Sequence, residues 1–200
     1  MTVEVHEDVT FHGDDWYGDD LGATRFVRCT FSQVDLSEVR TSGAVFEHCV
    51  FDGCRFNSSV HTASAFVACE LRRCSLFDVT FEGCKVVGTT FAECTTRPMR
   101  ILGGQWRGSS LRGANLTKLD LSGLDLREAD LSLADLSGTL LRGTQLDGAN
   151  LRDAKLVGAD LVGASLDRVD LAAAQLRGTR LDLTGAVLLA ELHGAVVHPG

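Results

Sequence analysis

His48, Cys49, Cys54 and His61 are residues of the types that hold zinc, crowded into one short stretch. The chain carries seven cysteines, an odd number that argues against a complete disulfide framework. A second set stands further on. In 114–138, ANLTKLDLSGLDLREADLSLADLSG, Asp120, Asp125, Asp130 and Asp135 recur at every fifth residue. Carboxylates in series can bind cations, move protons or present a negative surface. No phosphate-cradling loop, G-x-S-x-G turn, Ser–His–Asp set or carboxylate pair spaced for acid–base work accompanies them. No catalytic residue, metal ligand or cofactor is assigned, and no enzymatic activity is expected.

Both sets obey one period. Stepping by five from Phe11 to Leu181 visits 35 positions, of which 32 hold Phe, Trp, Leu, Ile or Val; Thr41, His61 and Thr96 are the exceptions. All seven cysteines stand two residues before such a centre, a position shared with Ala129, Ala134, Ala149, Ala154, Ala159 and Ala164. A cysteine that alternates with alanine reads as a small inward-facing side chain, since a buried free thiol behaves as a small hydrophobe. That reading displaces the zinc one. Two residues after the centre lie 16 of the 21 glycines, which marks a turn. The aspartates stand one before the centre and read first as corner residues whose carboxylates bond nearby amides.

A five-residue step excludes the usual elements. It rotates an α-helix by roughly 140° and winds the leucines around every face, which also excludes a heptad coil. It puts successive leucines on opposite faces of a flat strand. What remains is a chain that turns a corner once per repeat. Like residues recur at a spacing of 20, as in Cys29, Cys49 and Cys69, in Cys54, Cys74 and Cys94, and in Phe26, Phe46 and Phe66. Four repeats therefore close one coil, and coils stack at about 4.8 Å into an all-β, parallel, four-sided rod about 40 Å long. The expected division is repeats over 1–183, with an irregular break near 95–105, and a C-terminal cap over 184–200.

The repeats ANLTK, ADLSL, ANLRD and ADLVG resemble the pentapeptide-repeat family over about residues 9–185. That resemblance implies a right-handed quadrilateral β-helix. The Phe/Cys-rich first half, the break at Arg97–Pro98, the Leu-rich second half and the end TGAVLLAELHGAVV are most similar to the Qnr/MfpA group of fluoroquinolone-resistance proteins. The group implies a DNA mimic that binds DNA gyrase, at the DNA saddle of the A subunit or near the ATPase domain of the B subunit, and that pairs end to end through its C-terminus. A generic pentapeptide scaffold or a self-immunity protein with another protein partner is the alternative.

Charge is compatible with mimicry but does not compel it. The net value is −8, so direct nucleic-acid binding is not expected. Spread over about 40 Å, eight charges give one per roughly 5 Å, against one per roughly 1.7 Å in B-DNA. Mimicry must then depend on local groups, and a belt of Asp120, Asp125, Asp130, Asp135, Asp160 and Asp170 is the candidate gyrase-facing surface. Asp120 and Asp160 are expected on one side of the rod, Asp130 and Asp170 on another. The first 20 residues add Glu4, Glu7, Asp8, Asp14, Asp15, Asp19 and Asp20 with no Lys or Arg.

The ends and the break complete the reading. Thr184 is placed as N-cap of a helix over 186–192 ended by Gly194, with Val187, Leu188 and Leu192 as a capping and dimerisation face. Arg97–Pro98 is a candidate cis bond, and His61 a candidate bulge beside Thr41. The N-terminus has no signal-peptide pattern and no apolar run spans a membrane, so a cytoplasmic location is expected.

Overall fold

The computed structural model describes residues 4–198. It is a parallel β-solenoid with four walls, in which each residue pairs with the one 20 positions on. The first wall stacks Val5–Glu7, Arg25–Val27, Val45–Glu47 and Ala65–Val67. The second runs from Thr10–His12 through Thr30–Ser32, Val50–Asp52 and Glu70–Arg72 to Thr90–Ala92. The third is a ladder of single bridges, Asp15↔Asp35↔Arg55↔Ser75↔Thr95. The fourth stacks Asp20–Gly22, Arg40–Ser42, Val60–Thr62, Val79–Glu82 and Met99–Leu102. In the second half single bridges replace strands and carry the walls as far as Asp160↔Arg180.

Three positions of the repeat explain the coil. The centre fills the core, from Phe26, Phe46 and Phe66 to Leu131, Leu136 and Leu141, all 2% exposed or less. Two residues later the backbone is left-handed. Among the described residues, the 16 non-glycine residues with positive φ, Asp8 to Arg168, all sit there beside the recurring glycines. A corner such as Ala134 N–H to Leu131 O, with positive φ at Leu133, is a hydrogen-bonded turn of type II. Glycine relieves the strain at many of these corners, but the position tolerates Asp, Glu and Arg at about 1 kcal/mol each.

The break near 95–105 is a loss of two walls. Bridges Lys85↔Gln105↔Asp125 and Thr90↔Ser110↔Asp130 continue through it, whereas no bridge links Thr95 to Asn115 or Arg100 to Asp120. Arg97–Pro98 is cis, and Pro98 has no amide to donate. Thr96 instead bonds upward through its hydroxyl, Oγ1 to Asn115 O at 3.0 Å. Gly104 is fixed by a close backbone approach. A Cβ there would stand 2.2 Å from Cys84 O, so only glycine allows this close approach beside the buried Trp106.

Two local expectations need correction. The C-terminal helix is Leu183–Leu192, capped by Asp182, whose carboxylate accepts from Gly185 N; Thr184 lies inside it. A carboxylate at the cap outcompeted the threonine two residues on. His61 makes no bulge. It pairs in register with Thr41 and Phe81, and the irregular pairing lies instead at Asp20/Gly22.

His61 is 1% exposed, with Nδ1 2.9 Å from Thr41 Oγ1 and Nε2 3.1 Å from Ser59 Oγ. Burial holds it neutral, with its pKa down at about 3 against an ordinary 6.5. Between those values the unfolded chain takes a proton that the folded chain refuses, so stability is full above about pH 6.5 and falls as the pH drops toward 3. The slope from this one group approaches ~1.4 kcal/mol per pH unit. His61→Leu should therefore show a smaller drop in urea midpoint between pH 7 and pH 4.5 than the wild type. Equal drops in the two proteins contradict this assignment.

Candidate interaction surface

The cysteines lie inside the rod. All seven are free, six are fully buried, and each thiol points at a carbonyl in the coil beneath. Cys49 Sγ meets Phe26 O at 3.4 Å, Cys69 meets Phe46 O at 3.3 Å and Cys74 meets Phe51 O at 3.4 Å. Thr139, Thr144 and Thr179 do the same with hydroxyls, to Leu116 O, Leu121 O and Leu156 O at 2.7–2.9 Å. The position two before the centre is thus a small donor site that ties neighbouring coils. Burial raises the Cys29 and Cys84 thiols above the usual range, which keeps them protonated donors. His48 is exposed on a corner, away from this inward column, and among the described residues no group of three or more His, Cys, Asp or Glu is placed to hold a metal.

The six belt aspartates share one local role. Each accepts the amide two residues on: Asp120 from Ser122, Asp125 from Arg127, Asp130 from Ser132, Asp135 from Ser137, Asp160 from Val162 and Asp170 from Ala172, at 3.0–3.2 Å. This bond closes the corner and fixes the carboxylate. Asp120, Asp125, Asp130 and Asp135 then fall on four different walls, whose bridges lead to Leu140, Gln145, Asn150 and Lys155. The belt is a ring around one coil rather than a stripe. Asp120 and Asp160 do share a wall, through Leu140. Asp130 and Asp170 do not continue one ladder, because the wall above Asn150 departs from its register and Asp170 caps a 3-10 turn, Leu171–Ala173.

Charge around the ring is uneven. Asp125 pairs with Arg127 at 2.8 Å, Asp135 with Lys155 at 3.6 Å, and Asp160 with Arg142 at 2.7 Å and Arg180 at 3.6 Å. Asp160 is only 3% exposed. Burial pushes its carboxyl up, but the Arg142 and Val162 bonds outweigh this and hold it below the ordinary value. Arg127 lowers Asp125, and the Ser122 and Ser137 bonds lower Asp120 and Asp135. Asp120, Asp130 and Asp170 have no cationic partner among the described residues, so they carry the net negative charge of the belt. At the N-terminal end Glu7 and Asp8 are tied to Arg28 at 2.5 and 2.7 Å and Glu4 meets His6 Nε2 at 3.1 Å, while Asp14, Asp15, Asp19 and Asp20 have no Arg or Lys partner within 4 Å among the described residues.

The C-terminal helix divides the residues assigned to it. Leu188 packs, with Leu189, against the end of the core, and Val187 is half-buried. Leu192 is 40% exposed, Leu183 at the other end of the helix 81% and Val196 beyond it 79%. Leu188 therefore caps the last coil. Exposed apolar residues thus extend beyond one helix face, to Leu183 and Val196.

Residues 74–151 match the family description "Pentapeptide repeat region", and residues 20–60 and 144–188 match "Pentapeptide repeats (8 copies)". The chain belongs to the pentapeptide-repeat family. Over 71 residues, 36% of this chain, it is 38% identical to the pentapeptide repeat protein MfpA of Mycobacterium tuberculosis, and the match spans 39% of that protein's length. Trypsin-treated QnrB1, a plasmid-mediated fluoroquinolone resistance protein, has the same fold over 97% of this chain and 100% of its own, with a TM-score of 0.67 at 20% identity. A second trypsin-treated QnrB1 structure covers 96% of this chain and 99% of its own, with a TM-score of 0.59 at 23% identity. In this pentapeptide-repeat rod each belt carboxylate is both a turn and a charge, and the two roles separate experimentally. Asp120→Asn keeps the acceptor oxygen and should cost little stability, whereas Asp120→Ala loses the bond and should cost up to about 1 kcal/mol in urea unfolding. Equal stability of the two variants means that the carboxylate does not hold the turn.

Proposed function

We propose that this pentapeptide-repeat protein binds DNA gyrase as a DNA mimic, modulates supercoiling and lessens the action of fluoroquinolones on the enzyme. The observation that carries the reading is the sequence match to MfpA, within a chain whose four-sided rod runs the full length of the QnrB1 fold. The partner surface is either the DNA saddle of the A subunit or the region of the ATPase domain of the B subunit. The negative charge it meets comes from Asp120, Asp130 and Asp170, because arginine or lysine already neutralises Asp125, Asp135 and Asp160. Two rods join end to end through the C-terminal segment, whose exposed apolar residues include Leu183 and Leu192, to present about 80 Å of rod. No helix among the described residues is long and apolar enough to cross a membrane, in keeping with action in the cytoplasm.

A supercoiling assay tests the gyrase reading. Wild-type protein should lower supercoiling and reduce quinolone-stabilised cleavage. The combined Asp120→Asn, Asp130→Asn and Asp170→Asn variant should be several-fold weaker, and the combined Asp125→Asn, Asp135→Asn and Asp160→Asn variant much less affected. A wild-type protein without effect on either readout refutes gyrase binding and leaves a scaffold with another protein partner. Light scattering tests the dimer: Leu183→Asp with Leu192→Asp should halve the wild-type mass, and an unchanged dimer places the interface elsewhere.

A further inference from the structure

On the second wall, single bridges climb Thr90↔Ser110↔Asp130↔Asn150. Each step uses two bonds. Leu111 N donates to Asp130 O and Leu131 N to Asn150 O, at 2.8 and 2.9 Å; Asp130 N donates back to Ser109 O and Asn150 N to Ala129 O, both at 2.9 Å. The next step is missing. Among the described residues, neither Leu151 N–H nor Ala149 C=O has a partner. Asp170, which the register would bring to Asn150, has left the wall to cap the turn Leu171–Ala173. The slip is one residue. Leu133 N bonds Arg152 O, 19 positions on, but Asp153 N bonds Ala173 O, 20 on, and register returns at Gln175 N to Ala154 O.

The slip opens a cleft of about 500 Å³, whose floor is Gly148 to Arg152 and whose far side is Arg168, Asp170 and Ala173. Ala149 and Leu151 are 4% and 2% exposed. Buried backbone groups are almost always paired, so a free donor and a free acceptor two residues apart on one buried strand call for a partner that reaches them through the cleft. Two cations stand at its mouth. The Arg152 and Arg168 side chains are 79% and 69% exposed; among the described residues their ion pairs are to Asp153 at 3.6 Å and Asp167 at 3.4 Å, and Arg168 also acts on the Glu128 carboxyl across Gly148. Most other arginine pairs on the rod close to within 3 Å.

The geometry points to a docking slot for one extended, acidic segment of a partner protein. Its main chain completes the missing bridge, donating an N–H to Ala149 O and accepting from Leu151 N. In a strand so placed, the bridging residue and the residue two away point outward, toward Arg152 and Arg168, while the residue between them faces Ala149, Leu151 and Ala173. The pattern that fits is acidic–small–acidic. Backbone bonds supply the docking and alternate side chains the selectivity, as in strand addition at a sheet edge. The slot shares Asp170 with the proposed gyrase-facing surface, but its test reads the Leu151 amide and needs no gyrase, so either reading can fail alone.

The probe is acetyl-Gly-Glu-Ala-Glu-Gly-amide, titrated into the full-length ¹⁵N-labelled protein. The Leu151 amide should shift saturably, with a Kd below about 1 mM. A peptide N-methylated at the first Glu, or one with Lys in place of both Glu, should bind at least tenfold more weakly. Arg152→Glu with Arg168→Glu should also weaken binding tenfold at an unchanged melting temperature; if that variant does not fold, the two control peptides decide. No shift of Leu151, equal binding of the Lys peptide, or equal binding of the N-methylated peptide overturns the slot. Inorganic phosphate that shifts Leu151 where the Glu peptide does not also overturns it, and leaves an anion pocket.

Discussion

The hydrogen-bonded step from residue i to residue i+20 governs this protein. A parallel stack at strand spacing puts each side chain against the one a coil away, so a choice at one level constrains the next. Phe26, Phe46 and Phe66 lie face to face, with ring planes 2° and 17° apart, and Phe31 and Phe51 lie 10° apart. Thr41 under His61 turns the same register to polar use, because each supplies what the other needs. The small donor position follows from the same step. A thiol or hydroxyl two before the centre reaches the carbonyl of a centre in the coil beneath, so Cys and Thr serve where alanine only fills space.

That step also decides what could be read from the sequence. The period of five, the 20-residue coil and the inward cysteines are consequences of register, and register repeats, so a single chain displays it many times over. The residues that break it are singular. Nothing in the pattern tells that Asp182 rather than Thr184 caps the helix, since both are good acceptors and the choice rests on where the last coil releases the chain. His61 at a centre looks like a fault until Ser59 and Thr41 are seen on its two ring nitrogens. The slip at 168–173 leaves no mark, because Leu166, Leu171 and Leu176 keep perfect spacing through it. Spacing reports where side chains must go, not whether the backbone between them reaches its neighbour.

The candidate surface was legible in residue type and partly illegible in charge. Every belt aspartate was identifiable as a corner residue, and each does bond the amide two positions on. Which of them remain electrically available depends on side chains from other coils. Lys155 and Arg142 reach Asp135 and Asp160 across the stack, and that proximity exists only after folding. Counting aspartates therefore overstates the negative surface.

A regular corner is nonetheless a good place to put a charge meant for a protein partner. Phosphates along a duplex are held at fixed positions, and a mimic gains by holding its carboxylates likewise. A carboxylate on a free side chain must be immobilised on binding, at about 0.5–1.5 kcal/mol for each rotamer-rich group. Asp120 and Asp130 meet much of that cost in folding, because one oxygen is already bound to the Ser122 or Ser132 amide. The Ser122 bond also favours the ionised form of Asp120 by lowering its pKa. The bond that makes the corner thus also preorganises the charge, so under the proposed function stability and recognition draw on the same residue. Replacing such an aspartate by glutamate would keep the charge, lose the turn, and return the mobility that the fold had removed.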